Sequence, residues 1–309
     1  MTRFTDLVGC RLPIQQAGMS RVTTPALVAA VANAGGLGML AVGRPTRAAV
    51  ASEIDAVLAL TDRPVGATFI VRFLDPAVVE VVAARLPIVE FFWGWPEPAV
   101  LPDGVITGWQ VGSVDEAKAA ADAGCAYVIA QGIGAGGHVR GTTPWRDLLV
   151  RVLAATSIPV LASGGIGTAA DVREALALGA DGVRVGTRFV AAVESAAHQF
   201  YVDSLIASGP DDTVLTETFS VGWPDAPHRV LARAVAAATA AGPDPVATMT
   251  MPDGSSLAIP RLSTTPPTVA TVGELEAMAL YAGMGVGAVT CRATAAAIVA
   301  ELAGVPDTR

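Results

Sequence analysis

A chain of 309 residues is long enough for one α/β barrel with a small addition, and 52% hydrophobic against 16% charged residues is far from the profile of a chain that stays disordered. A formal net charge of −8 and a single lysine, Lys118, count against a nucleic-acid partner and leave any bound phosphate to backbone N–H groups and arginines. Cys10, Cys125 and Cys291 are isolated and fit neither a disulfide framework nor zinc spacing, and no secretory leader or membrane-length apolar run is present, so the expectation is a cytoplasmic protein without a structural metal.

The predicted elements alternate. A strand at Leu12–Ala17 runs into the small-residue turn Ala17-Gly18-Met19, followed by a helix at Pro25–Asn33 and the glycine-rich entry Gly35-Gly-Leu-Gly38 to a strand at Gly38–Val42. A helix at Arg47–Leu60, a strand at Val65–Ile70, a helix at Pro76–Arg85 and strands at Ile88–Trp93 and Val105–Gln110 continue the pattern. It goes on through a helix at Val114–Ala123, a strand at Tyr127–Gln131, a helix at Trp145–Thr156, a strand at Val160–Ser163, a helix at Ala169–Leu178 and a strand at Val183–Gly186. Eight strand-helix units predict a closed (β/α)8 TIM barrel rather than an open doubly wound sheet, which has fewer strands and carries its glycine turn after the first. Past residue 200 the proline-rich turns around Ser208–Asp212, Pro224–Pro227, Gly242–Pro245 and Pro266-Pro267 break this rhythm. The expected organisation is a barrel over 1–200, a small inserted cap over 201–271 and a helical return to the barrel over 272–309.

Two glycine-rich turns follow the seventh and eighth strands, Ala162-Ser-Gly-Gly-Ile-Gly167 and Gly182-Val-Arg-Val-Gly-Thr187, where a barrel places its phosphate site. Glycine lets backbone approach a ligand closely, and N–H groups at a following helix start can meet a phosphate, although either turn alone would be read as a tight connection. Thr168 and Asp171 have capping-box spacing. After the sixth strand, Gln131-Gly-Ile-Gly-Ala-Gly-Gly-His138 brings an imidazole to the C-terminal mouth, the catalytic face of a barrel, where it can act as a general base. His198 and His228 are assigned structural roles. Phe91, Phe92, Trp93, Trp95 and Trp109 either line an apolar pocket or simply pack.

In this order the segments resemble the nitronate monooxygenase family, also called 2-nitropropane dioxygenases. The resemblance rests on Gln-x-x-Gly-Met at 15–19, Gly35-Gly-Leu-Gly38, the run Gln131–His138, Ala162-Ser-Gly-Gly-Ile166, and Leu178-Gly-Ala-Asp-Gly-Val-Arg-Val-Gly-Thr-Arg-Phe189. It implies an FMN-dependent barrel with a cap that oxidises nitronates or nitroalkanes with O2, giving a carbonyl compound and nitrite. His138 would be the base, and the FMN phosphate would lie against Ser163, Gly164, Gly165, Val185, Gly186 and Thr187. Gln131, Gly136 and Gly137 would lie near the flavin ring, Ala17, Gly18 and Met19 beneath it, and Thr68 at the position of a flavin-contacting asparagine. Gly18 stands for the family's usual proline, Gly134 for a frequent glutamate, and Met284 for a glutamine. The alternatives are an NAD(P)H-dependent flavin reductase of enoyl or quinone type on the same barrel, and a non-redox phosphate-binding barrel. A homodimer is compatible with either.

Overall fold

Short runs of valine, isoleucine, alanine and glycine, buried on both faces, form the barrel strands of the computed structural model, which describes residues 1–240 and 242–305. In chain order the strands are β1 (Ile14–Gln16), β2 (Gly38–Val42), β3 (Val65–Ile70), β4 (Ile88–Phe92), β5 (Ile106–Val111), β6 (Tyr127–Gln131), β7 (Gly137–His138), β8 (Val160–Ser163), β9 (Gly182–Val185), β10 (Thr213–Thr216), β11 (His228–Leu231), β12 (Ala247–Thr250), β13 (Ser256–Ile259) and β14 (Thr271–Gly273). Eight of them pair in parallel in the order β1, β9, β8, β6, β5, β4, β3, β2. The remaining seam, between β1 and β2, is joined by one bridge, Gln15 to Leu37. The expected (β/α)8 barrel is therefore the observed fold. The first strand is trimmed to three residues, and the eighth starts one residue earlier and stops at Val185.

The six expected helices are present, most of them shorter at the C-terminal end. Their starts follow from local chemistry: Thr24, Thr46, Ser113 and Thr168 each accept an N–H from the first turn, and Asp75 accepts that of Ala77. The connection between β4 and β5 holds only the 3-10 turn Pro98–Val100, and the ring is completed by the helix Ala295–Ala303, whose Ile298, Val299 and Leu302 join Leu27, Val28 and Val31 in the core between sheet and helices.

Inside the barrel the bottom is apolar. Phe4 of the N-terminal helix Arg3–Val8 plugs it against Leu37, Met39, Ile88, Tyr127, Ile129 and Leu161. One inward step toward the strand C-termini, two residues past Ile88 and in register with Ser163, the side chains become charged: Glu90 and Arg184.

Between the barrel and its last helix, β11 pairs antiparallel with β10 on one side and with β7 on the other. A second three-stranded sheet, β13-β12-β14, packs Val246, Met249 and Ile259 against Ala277 and Met278. No helix among the described residues is long and apolar enough to cross a membrane.

Candidate active site

The loop after β6 is held as a unit. Gln131 Nε2 donates to the His138 carbonyl at 3.0 Å, and its Oε1 accepts the Arg140 N–H at 3.0 Å, so the amide expected near the flavin ring closes the loop onto itself. Register pairing of His228 with His138, and a 2.8 Å bond from Val139 N–H to the Pro227 carbonyl, fix the far side. Arg229 adds two donor bonds to the Ile133 carbonyl, at 3.2 and 3.1 Å. Gly137 sits at φ 73° with open space around it, so glycine is needed there for conformation. Gly136 is needed for room: a Cβ would stand 2.5 Å from the Gly283 nitrogen.

The two glycine turns lie side by side on β8 and β9. Gly164 and Gly165 have φ of 112° and 94°. A Cβ on Gly164 would meet the Gly132 carbonyl oxygen at 2.6 Å, whereas Gly165 and Gly186 have no neighbour closer than 3.5 Å, and the nearest atom to Gly186 is the Ala17 side chain at 3.7 Å. The N–H groups of Gly164, Gly165 and Gly186 find no acceptor among the described residues. At the helix start behind the first turn, Asp171 Oδ2 already accepts the N–H groups of Gly167 and Thr168. The loop amides of Gly164, Gly165 and Gly186 are thus open donors. The Thr187 hydroxyl accepts from Gly283 N–H at 3.0 Å, which leaves its own proton to donate. Ser163 is buried and its carbonyl accepts the Gly132 N–H. Val185 points its side chain into the sheet–helix core, so only its backbone, which accepts the Ala17 N–H, faces this region. Gly18 packs against β2, where a Cβ would lie 3.2 Å from Leu40 and Ala41, and Met19 packs partly buried between two cores.

Beneath the mouth Thr68 donates to Glu90 Oε2 at 3.0 Å, and Arg184 Nη1 bonds the same oxygen at 2.9 Å. The other oxygen accepts from Gln15 Nε2 at 2.5 Å and from the Tyr127 hydroxyl at 2.7 Å. Burial, then the adjacent Glu90 charge, pushes the Tyr127 phenol well above its ordinary pKa, so it stays a donor. Glu90 is fully buried and satisfied on all sides. Sequence reading passed over both charges as strand residues.

His138 sits in an aromatic box. Trp223 stacks on its ring at 3.8 Å and 17°, and Trp93, His228 and Tyr281 stand at 5.8, 5.3 and 5.8 Å. Burial, and secondarily His228, lowers the His138 pKa from 6.5 to about 3, so the imidazole is neutral at physiological pH. His228 is satisfied by Ala226 O at 2.8 Å and Phe219 N–H at 3.2 Å, a structural role as expected, although it borders the site. His198 caps the helix Gln199–Ile206. Of the five aromatics from strands four and five, Phe91 and Trp109 are core, Trp95 is exposed, and Phe92 and Trp93 line the box. Trp223 and Tyr281 were missed. The one local signal was an indole between Gly222 and Pro224 in an otherwise polar turn.

The nitronate monooxygenase family model matches residues 1–87 and 78–304. A probable nitronate monooxygenase of Staphylococcus saprophyticus is 33% identical over 276 residues, covering 71% of this chain and 76% of that one. A (3aS,4S,5R,7aS)-5-hydroxy-7a-methyl-1-oxo-octahydro-1H-indene-4-carboxyl-CoA dehydrogenase of Rhodococcus jostii is 36% identical over 235 residues, covering 74% of this chain and 65% of that relative, so the match spans just under two thirds of its length. Among solved structures, FabK of Thermotoga maritima superposes with a TM-score of 0.78 at 27% identity over 98% of this chain and 94% of that one. The nitroalkane oxidase of Streptomyces ansochromogenes does so at 0.76 and 28%, over 97% and 96%. The chain belongs to the nitronate monooxygenase family of flavin-dependent oxidoreductases.

Proposed function

We propose that the protein is an FMN enzyme that oxidises nitronates or nitroalkanes with O2 to a carbonyl compound and nitrite. The observation that carries this reading is the juxtaposition of a clamped, neutral His138 with two neighbouring glycine turns in which the N–H groups of Gly164, Gly165 and Gly186 have no acceptor among the described residues. Backbone donors of Gly164, Gly165 and Gly186, with the Thr187 hydroxyl, suit a dianionic phosphate in a chain with one lysine. Ala17, against Gly186, and Thr68, above the Glu90–Arg184 pair, would border the ring. FMN supplies the redox couple; the protein holds it and moves the proton. The His138 imidazole accepts the α-proton of a nitroalkane or donates a hydrogen bond to the nitronate. Residues 201–271 act as a cap over a 1–200 barrel, with 272–309 returning to it.

A flavin absorption spectrum in the purified protein is the first expectation, and a colourless protein rejects the assignment. Anaerobic mixing with propionate 3-nitronate should bleach the flavin. Bleaching by NADH alone would favour the reductase reading instead. The Rhodococcus relative favours a third measurement, bleaching by a hydroxyacyl-CoA ester, because that enzyme is a dehydrogenase.

A further inference from the structure

Nε2 of His138 is buried and has no hydrogen-bond partner among the described residues. One face of the imidazole is covered by the indole of Trp223, 4% exposed, stacked on it at 3.8 Å between ring centroids. Trp223 Nε1 is likewise buried without a partner among the described residues. Around the indole stand Phe73 at 5.2 Å, Trp93 at 5.1 Å and Phe92 at 6.5 Å, all edge-on. A buried donor and a buried ring nitrogen left unpaired are unfavourable, and native proteins retain such atoms where another partner satisfies them.

Trp223 belongs to the connection between β10 and β11, outside regular secondary structure, with Asp225 two residues on at φ 56°. It can leave the stack without breaking a ladder. β11, which holds His138 in place, starts only at His228.

We propose that Trp223 is a specificity-determining residue: a substrate reaches His138 by displacing the indole from the imidazole, so the site selects aryl-bearing planar anions over short alkyl ones. The inference rests on His138 being the group that meets substrate. A flat conjugated group regains the stacking that the indole gives up, while a two-carbon chain does not, a difference of about tenfold. Nε1–H of the displaced indole is then a donor for the anion's oxygen. Displacement also lessens the burial that holds the imidazole so weakly basic, restoring proton affinity when substrate is present.

The test compares the nitronates of phenylnitromethane and nitroethane on wild-type holoenzyme, Trp223→Phe and Trp223→Leu, each checked for flavin content. Wild type should prefer the aryl nitronate in kcat/KM by about tenfold, Trp223→Phe should keep that ratio, and Trp223→Leu should bring it near one by a gain on the alkyl substrate. Dissociation constants of benzoate and acetate, read from the flavin spectrum, ask the same question without turnover. If neither nitronate reacts but benzoate binds about tenfold tighter than acetate and Trp223→Leu removes the difference, the nitronate reading fails and this inference stands. Equal ratios in wild type and Trp223→Leu overturn it.

Discussion

Single residues decide what this site does at a given pH. His138 is neutral in the folded chain down to about pH 3, whereas in the unfolded chain it takes up a proton near 6.5. The unfolded state therefore binds more protons as pH falls, and the stability that burial of the neutral ring allows is full above 6.5 and is lost progressively toward 3. His228, beside it and also lowered by burial, acts with the same sign. Urea unfolding at pH 7 and pH 5 should show a smaller drop for His138→Asn than for wild type, and equal drops would refute the assignment. Glu90 makes the complementary case. It pairs with Arg184 one layer above the apolar bottom of the barrel. Removing one partner of a buried pair leaves the other uncompensated, so Glu90→Gln should cost about 3–5 kcal/mol in a denaturation midpoint analysis.

Elements explain why so many glycines stand at the mouth. The loop after β6, the turn after β8 and the tail around Gly283 touch backbone to backbone, which only residues without Cβ permit. Two neighbours separate the causes. Gly137→Ala meets no atom within 4 Å but keeps a left-handed φ, and should cost about 1 kcal/mol. Gly136→Ala drives a methyl into the Gly283 backbone, which cannot yield, and should cost about 3 kcal/mol with weakened flavin retention. Similar values for the two would mean that conformation alone governs the loop. This division also marks what could be read in advance. The eight strands announce themselves as β-branched runs, and the turns after β8 and β9 as glycine-bearing sequence. Trp223 does not, because its place over His138 depends on β11 pairing with a two-residue strand about 90 positions earlier, a contact with no local periodicity. Gln131 was legible as a site residue but not as a clamp, since its partners lie seven and nine residues ahead across a turn.

At the scale of the whole molecule the barrel is uneven. Every neighbouring pair of strands shares a ladder except β1 and β2, where Gln16 N–H to Leu37 O and Leu37 N–H to Ile14 O, both 2.9 Å, carry the closure. The helix Ala295–Ala303 joins one continuous core with Leu27, Val28 and Val31 of the helix that follows β1. Arg188, just past β9, is buried and ion-pairs with Glu301 on that last helix. The helix Ala295–Ala303 thus ties the segment after β9 to the helix that links β1 to β2, beside the weakest seam, after the long excursion that supplies Trp223. Ile298→Ala removes buried side-chain volume at this tie and should cost about 2–5 kcal/mol. If the tie is what keeps the barrel closed, native-state hydrogen exchange in that variant should accelerate first at Gln16 and Leu37 and leave the β4–β5 ladder protected. Uniform acceleration across all eight strands would show instead that the barrel opens only as one cooperative unit.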